Sequence, residues 1–411
     1  MVERLFVEDD TDNDSYLSLR ASGPRAVPFL IRALNDPRTL TTVFFQRGVK
    51  LTANSPFQRI CRLLAWADAV GAVKPLAKYL HHPDWEFREG AARVLAALAT
   101  ADCLEPVKLA LADPERRVRA AALGGIAAAR PGNPAFVAGV FPAIVPLLKD
   151  GDYDITGPAE ALAAIDIEKA VPILENPEFF SLANPQLNQV LDALNRPSVH
   201  VPLAILLPLM QQLEPLAATR GPRAVQYSSA VLLYARNPDA AAEAKFRSLF
   251  DAPDSYVASA AANAMEILAG IEPWGKVKDA WDDRKFAGLT RNQQFYYAVT
   301  EYDGEVCNGG HDQYFGNSSG DHWATALEGL HAMGMDSKVT ILQAALSAFP
   351  GGKPPVNRQV RQAAMDAFGD AANQILRTAD QRYYTSKEKI GERFDVLRTQ
   401  WALAHPTEFA K

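Results

Sequence analysis

Between positions 303 and 322 the chain reads DGEVCNGGHDQYFGNSSGDH, and five side chains there, Cys307, His311, Asp312, Asp321 and His322, are of types that ligate metals or move protons. Zinc takes ligands at patterned spacings such as CxxC or HExxH, and neither pattern is present. Cys307 and His311 lie four apart, but Gly309 and Gly310 interrupt the helix that would align them. No metal site is expected. A nucleophile from Ser318 or Ser319 with His322 and a carboxylate would need a base in reach and an oxyanion hole; the GxSxG elbow that supplies both is absent, and Cys307 has no better support. The glycines of Gly351-Gly352-Lys353-Pro354-Pro355 lead into prolines that lack the N–H donors of a phosphate cradle. The chemistry-bearing residues therefore point to no catalytic group and no cofactor, and the chain reads as a non-enzyme.

Taken as backbone chemistry, the same segment is a pair of turns. Asn308, Gly309, Gly310 and Gly320 are the structural loop positions, glycine supplying positive φ and Asn, Ser and Asp bonding nearby backbone groups. Gln313 and Asn317 lie four apart, so a helix through them puts both on one face, able to tie the two turns together. The alternative use of the segment is recognition, through His311, Gln313, Tyr314, Asn317, Ser318, Ser319 and Asp321. The elements expected to position it are helices at 291–306, 311–316, 321–333, 337–349, 358–378 and 386–405, the third capped by Ser319 or Asp321. Tyr383, Tyr384, Phe394 and Trp401 fall beside amphipathic stretches and are expected in the core.

Upstream the sequence repeats. A shift of 31 residues places Pro75 on Pro106, Leu80 on Leu111, Pro83 on Pro114, Arg88 on Arg119 and Ala91 on Ala122. Each unit reads as helix, Asp/His-Pro turn, Ala-rich helix, with proline ending the first helix and opening the second. Fainter copies lie at 146–165 and 249–268 and, before the pair, at 26–37. Together they resemble HEAT repeats over residues 21–270. What that resemblance implies is an all-α superhelical solenoid with an extended concave face, a binding architecture. Residues 40–55, with Thr41 to Phe45, look strand-like or irregular and predict an insertion, and the six prolines between 184 and 222 predict short or bent helices. Along this array Trp85, Arg88, Arg116 and Tyr153, near the repeat turns, are the candidate partner anchors, Arg88 also reading as a support between repeats.

The chain has 411 residues, 48% of them hydrophobic and 22% charged, enough apolar surface for two or three domains. A net charge of −6 disfavours nucleic acid and anionic membrane as partners, which call for a basic footprint. The acidic first ten residues lack the pattern of a signal peptide, and the most apolar run, Val201 to Met210, is short and holds two prolines, so no membrane span and a cytoplasmic location are expected. Three cysteines without a CxxC pair read as reduced thiols. An acidic segment over 1–20, a solenoid over 21–272 and a helical domain over 273–411 are the expected divisions. Aromatic and Asn/Gly-rich sequence takes over from Ala-rich helices at the last border.

In that C-terminal part an aromatic-rich stretch (Phe295, Tyr296, Tyr297, Tyr302) precedes Asn308-Gly309-Gly310, Gln313-Tyr314-Phe315 and Asn317-Ser318-Ser319-Gly320-Asp321. Tyr383-Tyr384 and His405-Pro406-Thr407-Glu408-Phe409 follow. Residues 281–409 thus resemble a bacterial all-helical domain family that includes small DNA-mimic proteins. The resemblance implies a compact helical domain that contacts other macromolecules, in the mimics by carboxylates spaced like phosphates. Residues 275–411 carry 16 Lys plus Arg and 17 Asp plus Glu, a net of −1, without the acidic field that mimicry needs. The function expected is a bacterial adaptor or inhibitor, of the kind immunity proteins represent, that engages a protein partner, a toxin or a regulator, through the solenoid and the signature loop. The alternatives are inhibition of a DNA-binding regulator by mimicry, and a HEAT-like nucleic-acid glycosylase or a hydrolase. The sequence assigns no oligomeric state.

Overall fold

The computed structural model describes residues 2–7, 14–46, 49–50, 55–129, 133–150, 157–218, 220–386 and 393–410. The chain is all-α, and it divides into two compact units, residues 1–196 and 197–411.

The first unit is a stack of helical hairpins. Val73–Ala77 continues into a tighter turn at Lys78–His81 and is followed by Trp85–Leu98; Leu104–Leu111 pairs with Arg116–Ala128; Pro134–Ile144 and Pro158–Ile165, then Ile167–Leu174 and Leu187–Leu194, continue the series. Proline recurs in the first helices: Pro75 and Pro106 stand in the first turn, where the missing N–H removes no intrahelical bond, and Pro142 and Pro172 lie further inside. The second helices begin with a side-chain cap: Asp84 accepts from the Glu86 amide at 2.9 Å and Glu115 from the Arg117 amide at 3.2 Å. They also pack closely. A Cβ on Gly125 would sit 2.4 Å from the Arg93 carbonyl oxygen, so only glycine lets these two backbones approach. Within 40–55 the expected insertion contains a minimal antiparallel pair, Phe45–Gln46 with Val49–Lys50.

The second unit opens with two more hairpins, Leu203–Leu213 with Pro222–Arg236 and Ala242–Ser248 with Ser255–Ala269. The prolines of 184–222 leave the hairpin pattern intact: Pro208 sits inside one helix and Pro222 opens the next. The remaining helices enclose an aromatic core that includes Tyr296, Tyr302, Tyr314, Phe315 and Tyr383. The border expected between 272 and 273 falls inside this unit, because Ser255–Ala269 packs on Phe394–Ala404: Ser259 Oγ donates to Asp395 at 2.6 Å and Thr399 Oγ1 to Glu266 at 2.6 Å. The single helix expected over 358–378 is two, Arg358–Asp366 and Asp370–Ser386, and the last one runs over Phe394–Ala404. Tyr383 is fully buried, while Phe394 is 8% and Tyr384 43% exposed, so Tyr384 stands outside the core. No helix of the described residues is long and apolar enough to cross a membrane.

Candidate binding surfaces

The signature segment is built around a broken helix. Arg291–Gly316 opens on a capping box from Thr290 and Gln293 and leaves helical geometry at Gly309 (φ −148°, ψ 19°) and Gly310 (φ 77°, ψ −175°). At Gly310 the positive φ and the Asp380 carboxylate, 2.5 Å from where a Cβ would stand, both demand glycine. The break turns His311 fully inward. Its amide donates to Asp380 Oδ1 at 2.8 Å, its Nδ1 lies 2.6 Å from the same oxygen, and Nε2 lies 3.0 Å from the Tyr302 hydroxyl. The network assigns the proton to Nδ1, so that Nε2 accepts from Tyr302. Burial holds the Tyr302 hydroxyl well above its ordinary range, and it stays a donor.

Gln313 and Asn317 do share a face, and what joins them is Glu305. Its carboxylate accepts from Gln313 Nε2 at 2.5 Å, from Asn317 Nδ2 at 2.9 and 3.1 Å and from Ser319 Oγ at 3.0 Å. One side chain thus ties the helix before the glycine break to the turn after it. Ser319 and Asp321 are therefore not helix caps as expected. Trp323–Ala332 starts without a side-chain cap, Ser319 serves Glu305, and Asp321 meets Arg361.

Arg361 is fully buried and uses all five of its N–H donors. Nε donates to the Phe315 carbonyl at 2.6 Å, Nη1 to Pro355 and Val356 at 2.8 and 2.9 Å, and Nη2 to the Asn317 carbonyl and Asp321 Oδ1, each at 2.8 Å. Gly320 keeps this passage open, since a Cβ there would lie 2.7 Å from the Tyr314 carbonyl oxygen and 3.1 Å from the guanidinium. His311 and Tyr314 are fully buried and Ser319 is 6% exposed, so the recognition role expected of these three side chains gives way to a core role. Burial raises the Tyr314 hydroxyl far above its usual range, and among the described residues that hydroxyl has no hydrogen-bond partner. Gln313, Asn317 and Asp321 are half-buried in the network, and only Ser318 of the set is exposed.

Along the repeats the anchors separate in the same way. Arg88 donates to Asp113 through Nε at 2.7 Å and Nη2 at 3.0 Å, while its Nη1 reaches the carbonyls of His82 and Pro83. Asp113 in turn raises the Arg88 guanidinium above its ordinary value. Arg119 repeats the device one unit on, donating to the Asp113 and Pro114 carbonyls and pairing with Asp150 at 3.5 Å. Arg88 is thus the inter-repeat support. Trp85, half-exposed beneath the Arg117 guanidinium at 4.6 Å, and the exposed Arg116 remain on the surface. Tyr153 lies outside the described residues.

Three residues central to this geometry, Glu305, Asp380 and Arg361, were not singled out from the sequence. Glu305 stood inside the segment, and its spacing of eight, twelve and fourteen residues from its donors crosses the glycine break, where no helical spacing rule applies. Cys307 is half-buried in this region, and His322 stacks on Phe286 at 3.6 Å, where burial lowers its pKa. Among the described residues no three His, Cys, Asp or Glu side chains are grouped so as to hold a metal ion.

Comparison with known proteins matches two stretches. Residues 58–127 match the family model for HEAT repeats and residues 287–405 that for DMP19-like protein. No curated protein matches the chain. Among solved structures, the crystal structure of an engineered protein is 16% identical with a TM-score of 0.34, the match covering 100% of this chain and 99% of that one. The chain joins a HEAT-repeat region to a C-terminal DMP19-like domain, the pair of resemblances carried by its 31-residue repeat and its NGG/QYF/NSSGD segment.

Proposed function

We infer that this is a non-enzymatic protein-binding module, an adaptor or an immunity-type inhibitor that acts in the bacterial cytoplasm on a protein partner, a toxin or a regulator. The observation that carries this reading is the engagement of the chemistry-bearing segment within its own fold: His311, Ser319 and Asp321 are bonded to Asp380, Glu305 and Arg361. The stacked hairpins, by contrast, leave Trp85 and Arg116 toward solvent, residue types enriched at interface centres. The net of −1 over 275–411 favours the repeats over phosphate mimicry as the working surface.

Affinity capture from the native cell with the full chain, followed by rebinding of the purified captured protein, tests the reading. A stoichiometric complex weakened by Trp85→Ala with Arg116→Ala supports it. Capture of no protein, or turnover of a substrate by the purified chain, overturns it.

A further inference from the structure

A cavity of about 1190 Å³ lies in the first unit, between the segment Ala21–Arg25 and the second helices of the stack. It is larger than the roughly 300–1,000 Å³ of small-ligand pockets. On its wall stands Trp66, 51% exposed, an unusual amount of indole surface to leave in water. The Arg20 guanidinium lies over that ring at 5.4 Å. Arg25, Arg62 and Arg93 also border the cavity, against the carboxylates of Asp68 and Glu89. Glu89 is already held by Arg93 at 2.6 Å. The lining thus sets three arginines against two carboxylates beside one indole, an excess of one positive charge to which Arg20 over the ring adds a second, in a chain whose net charge is −6.

We propose that this cavity is the docking site for an acidic segment of a protein partner, its carboxylates meeting the arginines and an apolar side chain packing on Trp66. The size of the cavity suits a chain segment, and the charge selects an acidic one. Tryptophan and arginine combine broad contact area with fixed, directional donors, which suits them to anchor such a segment. This inference rests on the protein-binding reading above and names the surface and the partner's chemistry.

The test uses the purified full chain and three labelled probes, read by fluorescence anisotropy: a short peptide of Asp, Glu and Leu, the same peptide with Lys at each acidic position, and a single-stranded oligonucleotide. The acidic peptide is expected to bind best. Trp66→Ala should weaken it about tenfold or more, and Arg62→Ala with Arg93→Ala should weaken it and flatten its salt dependence. Lys278→Ala, in the other unit, should leave it unchanged. Thermal melting checks the fold of each variant, and Trp66→Phe, which keeps a ring, should bind with intermediate strength. Absence of acidic-peptide binding, equal binding of the basic peptide, tighter binding of the oligonucleotide, or indifference to Trp66→Ala each overturns the proposal. A captured partner that rebinds the Trp66→Ala chain undiminished removes this site and leaves the protein-binding reading standing. Peptide binding that depends on Trp66, with no protein captured, does the reverse.

Discussion

Arg393 donates through Nη2 to the carbonyl oxygen of Pro253 at 2.9 Å and to that of Ala252 at 2.5 Å, across 140 and 141 residues of chain. In the central repeats the same pair of turn carbonyls is reached from within the hairpin: by Arg88 at His82 and Pro83, and by Arg119 at Asp113 and Pro114. Five residues after Pro253 the chain has Ala258 where those repeats have arginine. The residue that opens the helix Phe394–Ala404 therefore supplies what the last hairpin lacks, and the C-terminal domain is joined to that hairpin by the hairpin's own packing chemistry.

Arg393→Ala should accordingly destabilise the second unit by about 1–3 kcal/mol, since the Ala252 and Pro253 carbonyls lose their charged donor. The figure is held down because, among the described residues, Nε and Nη1 of Arg393 are buried without partners, and their removal relieves a desolvation penalty. Urea unfolding of the full chain followed by a probe in the second unit measures it. An unchanged midpoint would show the contact to be idle.

Much of this organisation was legible in the sequence because it is local. The 31-residue shift aligns residues doing the same job in neighbouring hairpins, and Arg88 and Arg119 bond carbonyls only five and six residues away. The Asn-Gly-Gly break was legible for the same reason, a backbone requirement carried by the residue itself. Arg393 with Pro253, Asp380 with His311 and Arg361 with Asn317 were not legible, since each pair is set by how distant helices stack and leaves no spacing signature. The exposure of candidate anchors was hidden too: the aromatic and amide residues of QYF and NSSGD look alike as recognition groups and as core groups until Glu305 and Arg361 are seen to collect them.

Arg361 tests how far the signature segment depends on one side chain. Arg361→Ala should cost about 3–5 kcal/mol, because it removes the charged donor from Asp321 and from the Phe315, Pro355 and Val356 carbonyls, while the Asn317 carbonyl keeps only the Gly320 amide. Arg361→Lys should recover only part of this, since an ammonium has three donors and no planar fork. Arg358→Ala, on the exposed turn beside it, should fall within about 0.5 kcal/mol of the parent. Equal losses at 358 and 361 in chemical denaturation would refute the buried anchor.

Two glycines should respond to alanine with opposite signs. At Gly125 the added methyl meets the Arg93 carbonyl at 2.4 Å and Ala96 Cβ at 2.7 Å, so Gly125→Ala should destabilise the first unit by about 1–3 kcal/mol. At Gly304, inside the helix Arg291–Gly316, nothing stands within 4 Å of the new Cβ, and Gly304→Ala should stabilise by about 0.5–1 kcal/mol through helix propensity. Melting temperatures of the two variants moving the same way would contradict this account of helix packing.

Glu266 carries the pH prediction. Burial raises its pKa above the ordinary 4.5, against the opposing pull of Arg398 and the hydrogen bond from Thr399, while Asp395 adds to the rise. A raised carboxyl pKa means the folded chain holds the proton at pH values where the unfolded chain has released it. The contribution of Glu266 to stability is therefore full below pH 4.5 and declines as pH rises through the folded pKa. Glu266→Gln keeps an oxygen to accept from Thr399 and removes the ionisation. It should make the chain more stable than the parent at neutral pH, with the difference shrinking as the pH falls below about 4.5. Paired urea titrations across that range measure it, and a gap that widens toward acid would show that the Glu266 carboxylate is stabilised in the fold by Arg398.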